Sequence, residues 1–366
     1  MAQAVSICAG IVGQERACRM LDALHSAGHY PSLLFIGPPG VGKRSVALRL
    51  AQTANCGDNR DGGPCGECPS CRTIARLTSP DLKLLFPLKK PKRRREDDES
   101  EGEREDVVTA LLDRVSEFAL DERQPVPPPA HVIHIELVRW LRREMARPPL
   151  TLRQRFFIIV DAHRMTTEAA NALLKILEEP QRQTTFVLTT SRPNQLLDTI
   201  RSRCRPVKFN PVPTQAVASW LTSECGADTD AAELAAEVSD GSVARALSFL
   251  DNPDDFLVPG ALKFFGHTQA GEEEVLAAMN DLSRVPLPTV VGSLLFLYRQ
   301  ALRAHHGLSS DYARREPAIG RKAKACSDDY LRRAVKYLSG RIQDSRLYVD
   351  RRLFLYTLLS SLRRAA

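Results

Sequence analysis

The chain has 366 residues, which is too long for one ordinary core and predicts two or three domains. Hydrophobic residues make up 43% of it and charged residues 26%, an ordinary soluble globular balance. No apolar run is long enough to span a bilayer, and residues 1 to 11 lack the features of a signal peptide, so we expect a cytoplasmic protein without membrane contact. The net charge of +7 favours polyanionic partners, although charge alone does not establish nucleic-acid binding.

The first predicted elements enclose a glycine-rich turn. Residues 11 to 29 predict a helix, residues 32 to 36 a short buried strand, and residues 44 to 54 a second helix. The turn between the strand and the second helix fits G-x-x-x-x-G-K and consists of Gly37, Pro38, Pro39, Gly40, Val41, Gly42 and Lys43. Strand, glycine-rich turn and helix in this order are the context that a phosphate-binding loop requires, so we predict such a loop rather than a chance turn. Its backbone N–H groups and the Lys43 ammonium would bind phosphate oxygens.

Two positions of this predicted ATP or ADP site depart from those of an active ATPase. The residue after Lys43 is Arg44, where a Ser or Thr hydroxyl would ligate Mg²⁺. Ser45 comes one place later, ~100° further round the helix, and Arg44 is left to reach a phosphate instead. A buried strand ends in Asp161-Ala162, where an active enzyme has Asp for Mg²⁺ and Glu for the attacking water. These departures predict nucleotide binding without autonomous hydrolysis.

Four of the nine cysteines cluster in a loop rich in Gly, Asp and Pro. Their spacing is C-x₈-C-x₂-C-x₂-C, and they are Cys56, Cys65, Cys68 and Cys71. Four thiolates at this spacing suit tetrahedral Zn²⁺ with no open position, so residues 56 to 71 are predicted to form a structural zinc module. Disulfides and an iron–sulfur cluster are the alternatives. The remaining cysteines are scattered and are predicted to be buried thiols; they are Cys8, Cys18, Cys204, Cys225 and Cys326.

The middle of the chain alternates strand and helix patterns. Strands are predicted over residues 80 to 86, 156 to 161 and 185 to 190. Helices are predicted over residues 133 to 146 and 166 to 178. Strands that alternate with helices indicate an α/β fold with a parallel sheet and covering helices.

A charge-dense segment interrupts this alternation at residues 89 to 106, where a basic run passes directly into an acidic one. Such a segment cannot bury enough apolar area to order itself, so we predict a disordered surface insertion. A nuclear-localisation or DNA-binding tail is the alternative, and the adjacent acidic run disfavours it. Residues 107 to 118 predict a short helix, and residues 125 to 129 a stiff linker.

Strand patterns end near residue 210, and amphipathic helical patterns follow. We therefore predict an α/β domain over residues 1 to 209. A small helical lid is predicted over residues 210 to 252, and an all-α collar for oligomerisation over residues 253 to 366.

Several motifs together resemble the bacterial clamp-loader subunits of DNA polymerase III, which are AAA+ proteins. The motifs are Ile11-Val12-Gly13-Gln14, the glycine-rich loop, N-A-L-L-K-I-L-E-E-P at residues 171 to 180, and T-I-R-S-R-C at residues 199 to 204. The resemblance covers most of residues 11 to 210 and is weaker in the C-terminal third. It implies a RecA-like AAA+ domain followed by a lid and a collar. Two types share these motifs, gamma/tau, which hydrolyses ATP, and delta-prime, which generally does not; Asp161-Ala162 and residues 79 to 87 resemble the delta-prime type.

The same resemblance implies partners and site residues. Such subunits form a hetero-pentameric ring of gamma/tau, delta and delta-prime chains that opens the sliding clamp and places it on primed DNA. It implies that Arg203, in Ser202-Arg203-Cys204, enters the ATP site of an adjacent gamma-type subunit as an arginine finger. It also implies that Arg245 is a nucleotide sensor and that the cysteine cluster binds zinc. An active gamma/tau-like ATPase and a zinc-stabilised nucleic-acid-binding module remain the alternatives.

Overall fold

The computed structural model describes most of the chain on either side of a long central gap. The described residues are 7–8, 10–58, 63–89, 131–179, 181, 183–253, 256–267, 271–308, 310–345 and 350–364. Apart from Lys89, the predicted charged insertion and the segments 107 to 118 and 125 to 129 lie outside these residues. The chain forms two compact units, Met1–Val217 with Gly241–Ala244, and Ala218–Asp240 with Arg245–Ala366. The division of the helical part into a lid and a collar stays a prediction.

The first unit is built on a five-stranded sheet in which every neighbouring pair is parallel. The strands are β1 (Leu33–Ile36), β2 (Leu82–Leu85), β3 (Arg155–Ile159), β4 (Thr184–Thr190) and β5 (Arg205–Lys208), in the spatial order β2-β3-β4-β1-β5. Helices lie between successive strands in the chain, and the apolar residues of β1, β3 and β4 are buried except for Ile36, which is half-buried. This arrangement confirms the predicted α/β fold with a parallel sheet and covering helices.

Four of the five strands coincide with predicted strands, and β5 was not predicted. The reason is its composition. Val207 is the one buried residue of this strand, and the other three, Arg205, Pro206 and Lys208, are exposed. The strand lies at one edge of the sheet and pairs with β1 alone, so it exposes polar residues to solvent. It therefore lacks the continuous apolar run that marks the central strands.

Helices cover the sheet and continue after it. In the first unit they are α1 (Glu15–Ser26), α2 (Lys43–Asn55), α3 (Pro69–Ala75), α4 (Ile135–Met145), α5 (Thr167–Glu178) and α6 (Asp198–Arg203). From residue 214 onward the described chain contains helices and no strand; these are α7 (Thr214–Cys225), α8 (Thr229–Ser239), α9 (Val243–Asp251), α10 (Pro259–Gly266), α11 (Glu272–Leu282), α12 (Leu287–His305), α13 (Asp311–Arg315), α14 (Pro317–Ala325), α15 (Asp328–Asp344) and α16 (Arg351–Arg364). The predicted change from strands to helices near residue 210 is confirmed.

The second unit is organised around α12, which packs most extensively against α15 and α14. Tyr298 of α12 is fully enclosed, and its hydroxyl forms a 3.0 Å hydrogen bond with that of Tyr330 in α15. The Tyr330 hydroxyl also donates to the carbonyl oxygen of Leu362 in α16, at 3.1 Å. The two buried hydroxyls thus connect α12, α15 and α16 by hydrogen bonds, and each has a hydrogen-bond partner within the apolar core.

Two further observations bear on the sequence predictions. Among the described residues, no helix combines the length and apolarity that crossing a bilayer requires. Cys8 and Cys18 are joined by a disulfide, so the prediction of buried thiols is wrong for this pair. Of the other scattered cysteines, Cys204 is a buried thiol as predicted, whereas Cys225 is exposed.

Candidate nucleotide loop, arginine and cysteine cluster

The glycine-rich loop leaves the carboxyl end of β1 and leads directly into α2. Gly40 and Gly42 have φ angles of +75° and +91°, which side chains with a Cβ rarely adopt. A Cβ on Gly40 would also lie 2.0 Å from the Ser242 hydroxyl, and the Ala244 N–H donates to the Gly40 carbonyl at 3.2 Å. The backbone thus takes a tight turn against which the segment Gly241–Ala244 packs.

Lys43 lies in the interior of this turn, with 7% of its surface exposed. Its ammonium donates hydrogen bonds to the carbonyl oxygens of Gly37, at 2.7 Å, and of Pro38. Burial lowers the pKa of Lys43 to about 8, and the negative charge of Asp161 opposes this shift. The predicted phosphate-binding cation therefore contacts the carbonyl groups of its own loop.

Asp161 follows β3 in a left-handed conformation with φ 50°, and its N–H donates to the Thr189 hydroxyl at 3.1 Å. Since β3 and β4 are parallel neighbours, and β4 lies beside β1, their carboxyl ends meet at the edge that carries the loop. Ala162 is fully buried in the apolar core of the unit. Its methyl side chain has no group that could orient or deprotonate an attacking water.

Arg44 and Ser45 are the second and third residues of helix α2. The Arg44 guanidinium lies 5.9 Å from the centroid of the Phe86 ring, just beyond the end of β2. Ser45 is half-buried on the same helix, one residue further round it. The expectation that Arg44 reaches a phosphate stays a prediction, and the side chain is directed to an aromatic ring beside the outer strand β2.

The sequence prediction missed two polar residues at this edge, His163 and Thr190. The Thr190 hydroxyl lies 3.1 Å from Nδ1 of His163 and accepts a hydrogen bond from the Arg192 N–H at 3.0 Å. Burial lowers the pKa of His163, an effect that the negative charge of Asp161 opposes. Thr190 could have been predicted from the sequence, because it ends a buried strand and the carboxyl ends of neighbouring parallel strands lie close together.

Arg245 belongs to the second unit, whereas Ala244 belongs to the first. Its guanidinium lies 5.9 Å from the centroid of the Phe256 ring. This cation–π contact is internal to the helical unit. A nucleotide-sensing role for Arg245 stays a prediction.

Arg203 is the last residue of α6, and Cys204 separates it from the first residue of β5, Arg205. Its Nη2 donates to Oε1 of Glu178 at 2.6 Å, and its Nη1 donates to the Thr199 carbonyl at 3.1 Å. The side chain is 35% exposed, whereas the next residue, Cys204, is buried in the core. Nearby Arg201 pairs with Asp198 at 2.8 Å instead.

The four clustered cysteines converge as the spacing predicted. Their ligand sulfurs all lie within 4.8 Å of one another, and all four are free thiols. Tetrahedral Zn²⁺ with Zn–S bonds of ~2.3 Å requires sulfurs about 3.8 Å apart, so small adjustments would complete the site. The predicted alternative of disulfides within this cluster is wrong. The cluster has the donor set and geometry to hold a metal ion.

Backbone groups support this cysteine cluster. The Cys65 and Cys68 N–H groups donate to the sulfurs of Cys56 and Cys65, both at 3.3 Å. The Gln52 side chain donates to the Cys71 carbonyl at 3.0 Å, which connects the cluster to helix α2. Hydrogen bonds of this kind hold the side chains of a metal site in position.

Comparison with known proteins identifies the class that this fold and these motifs define. The family model for the DNA polymerase III delta subunit matches residues 13–213, and the chain belongs to that family. It is a clamp-loader-related chain, similar to both delta-prime and gamma/tau subunits of DNA polymerase III.

The relatives include both types of subunit. The chain is 28% identical to the Escherichia coli delta-prime subunit over 285 residues, which are 76% of this chain and 72% of that protein. It is 32% identical to the Mycobacterium tuberculosis gamma/tau subunit over 249 residues, which are 66% of this chain but 36% of that longer protein. A solved gamma-subunit-related protein from Thermotoga maritima aligns over 95% of this chain and 99% of its own, with 17% identity and a TM-score of 0.45.

Proposed function

We propose that this chain is a delta-prime-type subunit of a cytoplasmic DNA polymerase III clamp loader. In this proposal it joins gamma/tau-type and delta-type subunits in a hetero-pentamer that opens the sliding clamp and places it on primed DNA. Its own loop hydrolyses ATP little or not at all, and Arg203 completes the ATP site of a neighbouring gamma/tau-type subunit. Family membership and the similarity to delta-prime subunits support this assignment.

The observation that carries the proposal is the position of Arg203 relative to the loop of its own chain. β1 and β5 are parallel neighbours with Leu33 opposite Arg205, so Arg203 lies at the amino end of this pair. The loop begins after Ile36, at the carboxyl end. At about 3.3 Å per residue, the strand separates the two by ~13 Å before the loop itself is counted. This separation supports a role for Arg203 at a nucleotide held by a neighbouring subunit rather than by its own loop.

The chemistry of the arginine suits such a role. A guanidinium presents several N–H donors in a rigid planar fork, which matches phosphate oxygens better than a lysine ammonium does. When a neighbour supplies it, this charge stabilises the phosphoryl group in the transition state and contributes about 10³ to 10⁵ in rate. The exposed part of Arg203 leaves the group accessible at the surface of the first unit.

Two features support weak hydrolysis by this chain itself. Arg44 replaces the hydroxyl that would hold Mg²⁺, and its side chain lies over Phe86. Ala162 replaces the glutamate that would orient water, and it is enclosed in the core. Loss of general-base assistance alone typically lowers a rate by about 10² to 10⁴. Binding of ATP or ADP by Lys43 and the loop is compatible with this proposal.

The test is a loader reconstituted with gamma/tau-type and delta-type subunits in which this chain carries Arg203→Ala. We expect ATP hydrolysis at the one facing site to fall by about 10³, with slower clamp loading on primed DNA. Arg201→Ala is the matched control, since Arg201 is also exposed and lies in the same helix but pairs with Asp198. Wild-type hydrolysis and loading by the Arg203→Ala complex would overturn the proposal.

The second candidate function is that of a hydrolysing gamma/tau-type subunit, and the 32% identity to the mycobacterial gamma/tau protein favours it. The purified chain distinguishes the two. Steady-state ATP turnover typical of an AAA+ enzyme, abolished by Lys43→Ala, would establish the gamma/tau-type function instead.

We further propose that the cysteine cluster binds one structural Zn²⁺. Support comes from the four convergent thiols and from the N–H groups directed at their sulfurs. Zinc in such a site holds the loop between α2 and α3 without offering an open coordination position for chemistry.

A further inference from the structure

Glu178 is the final residue of α5, and it lies beside Arg203 although the two are 25 residues apart in the sequence. One carboxylate oxygen of Glu178 accepts the 2.6 Å hydrogen bond from Arg203 Nη2. The Thr199 carbonyl, in the same helix as Arg203, accepts the bond from Nη1 at 3.1 Å. The guanidinium is therefore held from two directions, by its own helix and by the end of α5.

Stability of the fold does not account for this pair. The side chains of Arg203 and Glu178 are 35% and 48% exposed. Exposed ion pairs are screened by solvent and contribute little to stability. The pair does restrict a long side chain that would otherwise sample many rotamers, and this effect matters when the arginine has to meet a partner in one geometry.

The two contacts leave donors available. A guanidinium carries N–H groups on both terminal nitrogens and on Nε, and one carboxylate oxygen and one carbonyl engage only part of that set. Fixing the plane of the fork in advance reduces the entropy lost when Arg203 docks on a phosphate. It also places the remaining donors in one orientation, and orientation is a large part of catalytic rate.

We propose that Glu178 is a positioning residue, whose side-chain oxygen orients the Arg203 guanidinium toward the ATP phosphate of the neighbouring subunit. This inference rests on the proposed in-trans role of Arg203. Glu178 itself contacts no nucleotide and acts only through the arginine. Because an accepting oxygen sets the orientation, glutamine should replace Glu178 well and alanine should not.

The experiment compares Glu178→Ala, Glu178→Gln and Glu179→Ala in the full reconstituted loader with clamp, primed DNA and ATP. We expect Glu178→Ala to lower the single-turnover hydrolysis rate by about tenfold, since a ~1 Å misplacement can lower a rate by up to about 10²-fold. The affinity for ATP should not change. Glu178→Gln should retain most of the rate. Glu179→Ala is the matched control, because the adjacent Glu179 is also exposed and is not a partner in the hydrogen bonds described for Arg203.

A double variant separates positioning from a general structural effect. In a chain that already carries Arg203→Ala, adding Glu178→Ala should change the rate no further, because the glutamate then has nothing to orient. An additional loss in this background would overturn the inference. Unchanged melting temperature and subunit assembly of Glu178→Ala are expected from its exposure.

The remaining outcomes distinguish the inference from the proposed function. If Arg203→Ala impairs hydrolysis and Glu178→Ala does not, the positioning role is wrong and the in-trans arginine stands. If neither variant has an effect, the proposed function fails, and the inference fails with it. Rates above wild type in both Glu178 variants would also overturn the inference, because the carboxylate would then restrain the arginine.

Discussion

Charged side chains differ in burial between the carboxyl ends of the strands, here called the carboxyl edge of the sheet, and the amino ends, called the amino edge. At the carboxyl edge, Lys43 is buried, and its ammonium is bonded to the carbonyl groups of its own loop. At the amino edge, Arg203 ends a short helix and keeps a third of its side chain exposed. The same edge has a fully bonded buried carboxylate, Asp81, before β2. The cation at the carboxyl edge, Lys43, is therefore buried, whereas the cation at the amino edge, Arg203, is held at the surface.

This difference indicates which edge the function depends on. Under the proposed function, a loop that lacks the magnesium-binding hydroxyl and the water-orienting glutamate contributes little to ATP hydrolysis. An arginine with preset orientation is of use only where a ligand arrives from outside. We therefore expect substitutions at the amino edge to have larger effects than substitutions at the carboxyl edge, and the predictions below test that order.

The largest effect is expected at the cysteine cluster, which precedes β2 in the chain. Cys68→Ser should remove one Zn²⁺ per chain and destabilise the first unit strongly, because binding energies of structural zinc are about 10 to 16 kcal/mol in small domains and add to folding directly. Elemental analysis and thermal melting measure both effects. Cys225→Ser is the control, since Cys225 is an exposed free thiol outside the cluster. Wild-type protein that contains no zinc, although it was produced under zinc-replete conditions, would contradict the prediction.

The next effect is expected at Asp81, a buried carboxylate at the start of β2. It accepts hydrogen bonds from the N–H groups of Thr151, at 2.6 Å, and Leu152, at 2.9 Å, and its other oxygen lies 3.8 Å from Arg155 Nε. Asp81→Asn leaves Arg155 without a counter-charge in the interior, so we expect the free energy of unfolding to fall by about 3 kcal/mol. Urea denaturation at neutral pH measures this loss. Asp198→Asn, at an exposed pair, should change it by less than about 1 kcal/mol.

The pH dependence of the Asp81 contribution has a defined sign. Burial opposes ionisation of this carboxyl, but the N–H donors of Thr151 and Leu150 outweigh it, so the pKa of Asp81 lies below its ordinary value. A folded-state pKa below the unfolded value of about 3.9 stabilises the protein above that pH. The stabilisation is lost as the pH falls through the folded pKa. The difference between wild type and Asp81→Asn should therefore shrink in acid, and a constant difference would contradict the assignment.

The sequence predicted those elements that are encoded by a short run of neighbouring residues. The central strands are continuous apolar runs, and the glycine loop and the cysteine spacing are short motifs, so each could be identified without knowledge of the fold. β5 was missed because an edge strand with one buried residue, Val207, has no such run. A strand that is buried on both faces has a continuous apolar run and can be predicted, whereas a mostly exposed edge strand cannot.

Contacts between distant residues could not be predicted in this way. Arg203 was identified from its Ser-Arg-Cys motif, but its bond to Glu178 joins residues on two different helices. The pairing of Asp81 with the segment around Thr151 spans 70 residues. His163 and Thr190 come together only because β3 and β4 are parallel and neighbouring. Each contact is set by topology, which periodicity along the chain does not encode.

A small effect is expected at the carboxyl edge. The isolated chain should turn over ATP negligibly with Mg²⁺ present, and Lys43→Ala in the reconstituted loader should lower hydrolysis far less than Arg203→Ala does. The physical reason is that the missing glutamate alone already removes about 10² to 10⁴ of rate. Steady-state phosphate release measures both. A loss on Lys43→Ala as large as that on Arg203→Ala would reverse the ranking of the two edges.

The smallest effect is expected from deletion of residues 89 to 106. This segment is dense in charge and poor in apolar residues, so it has little surface to contribute to a core. Its basic and acidic runs largely neutralise each other, which also weakens it as a binding site for DNA. The shortened chain should keep its melting temperature, its zinc and its clamp-loading rate at moderate salt. Loss of assembly on deletion, with folding intact, would give the segment a docking role and add a third functional region to the two edges.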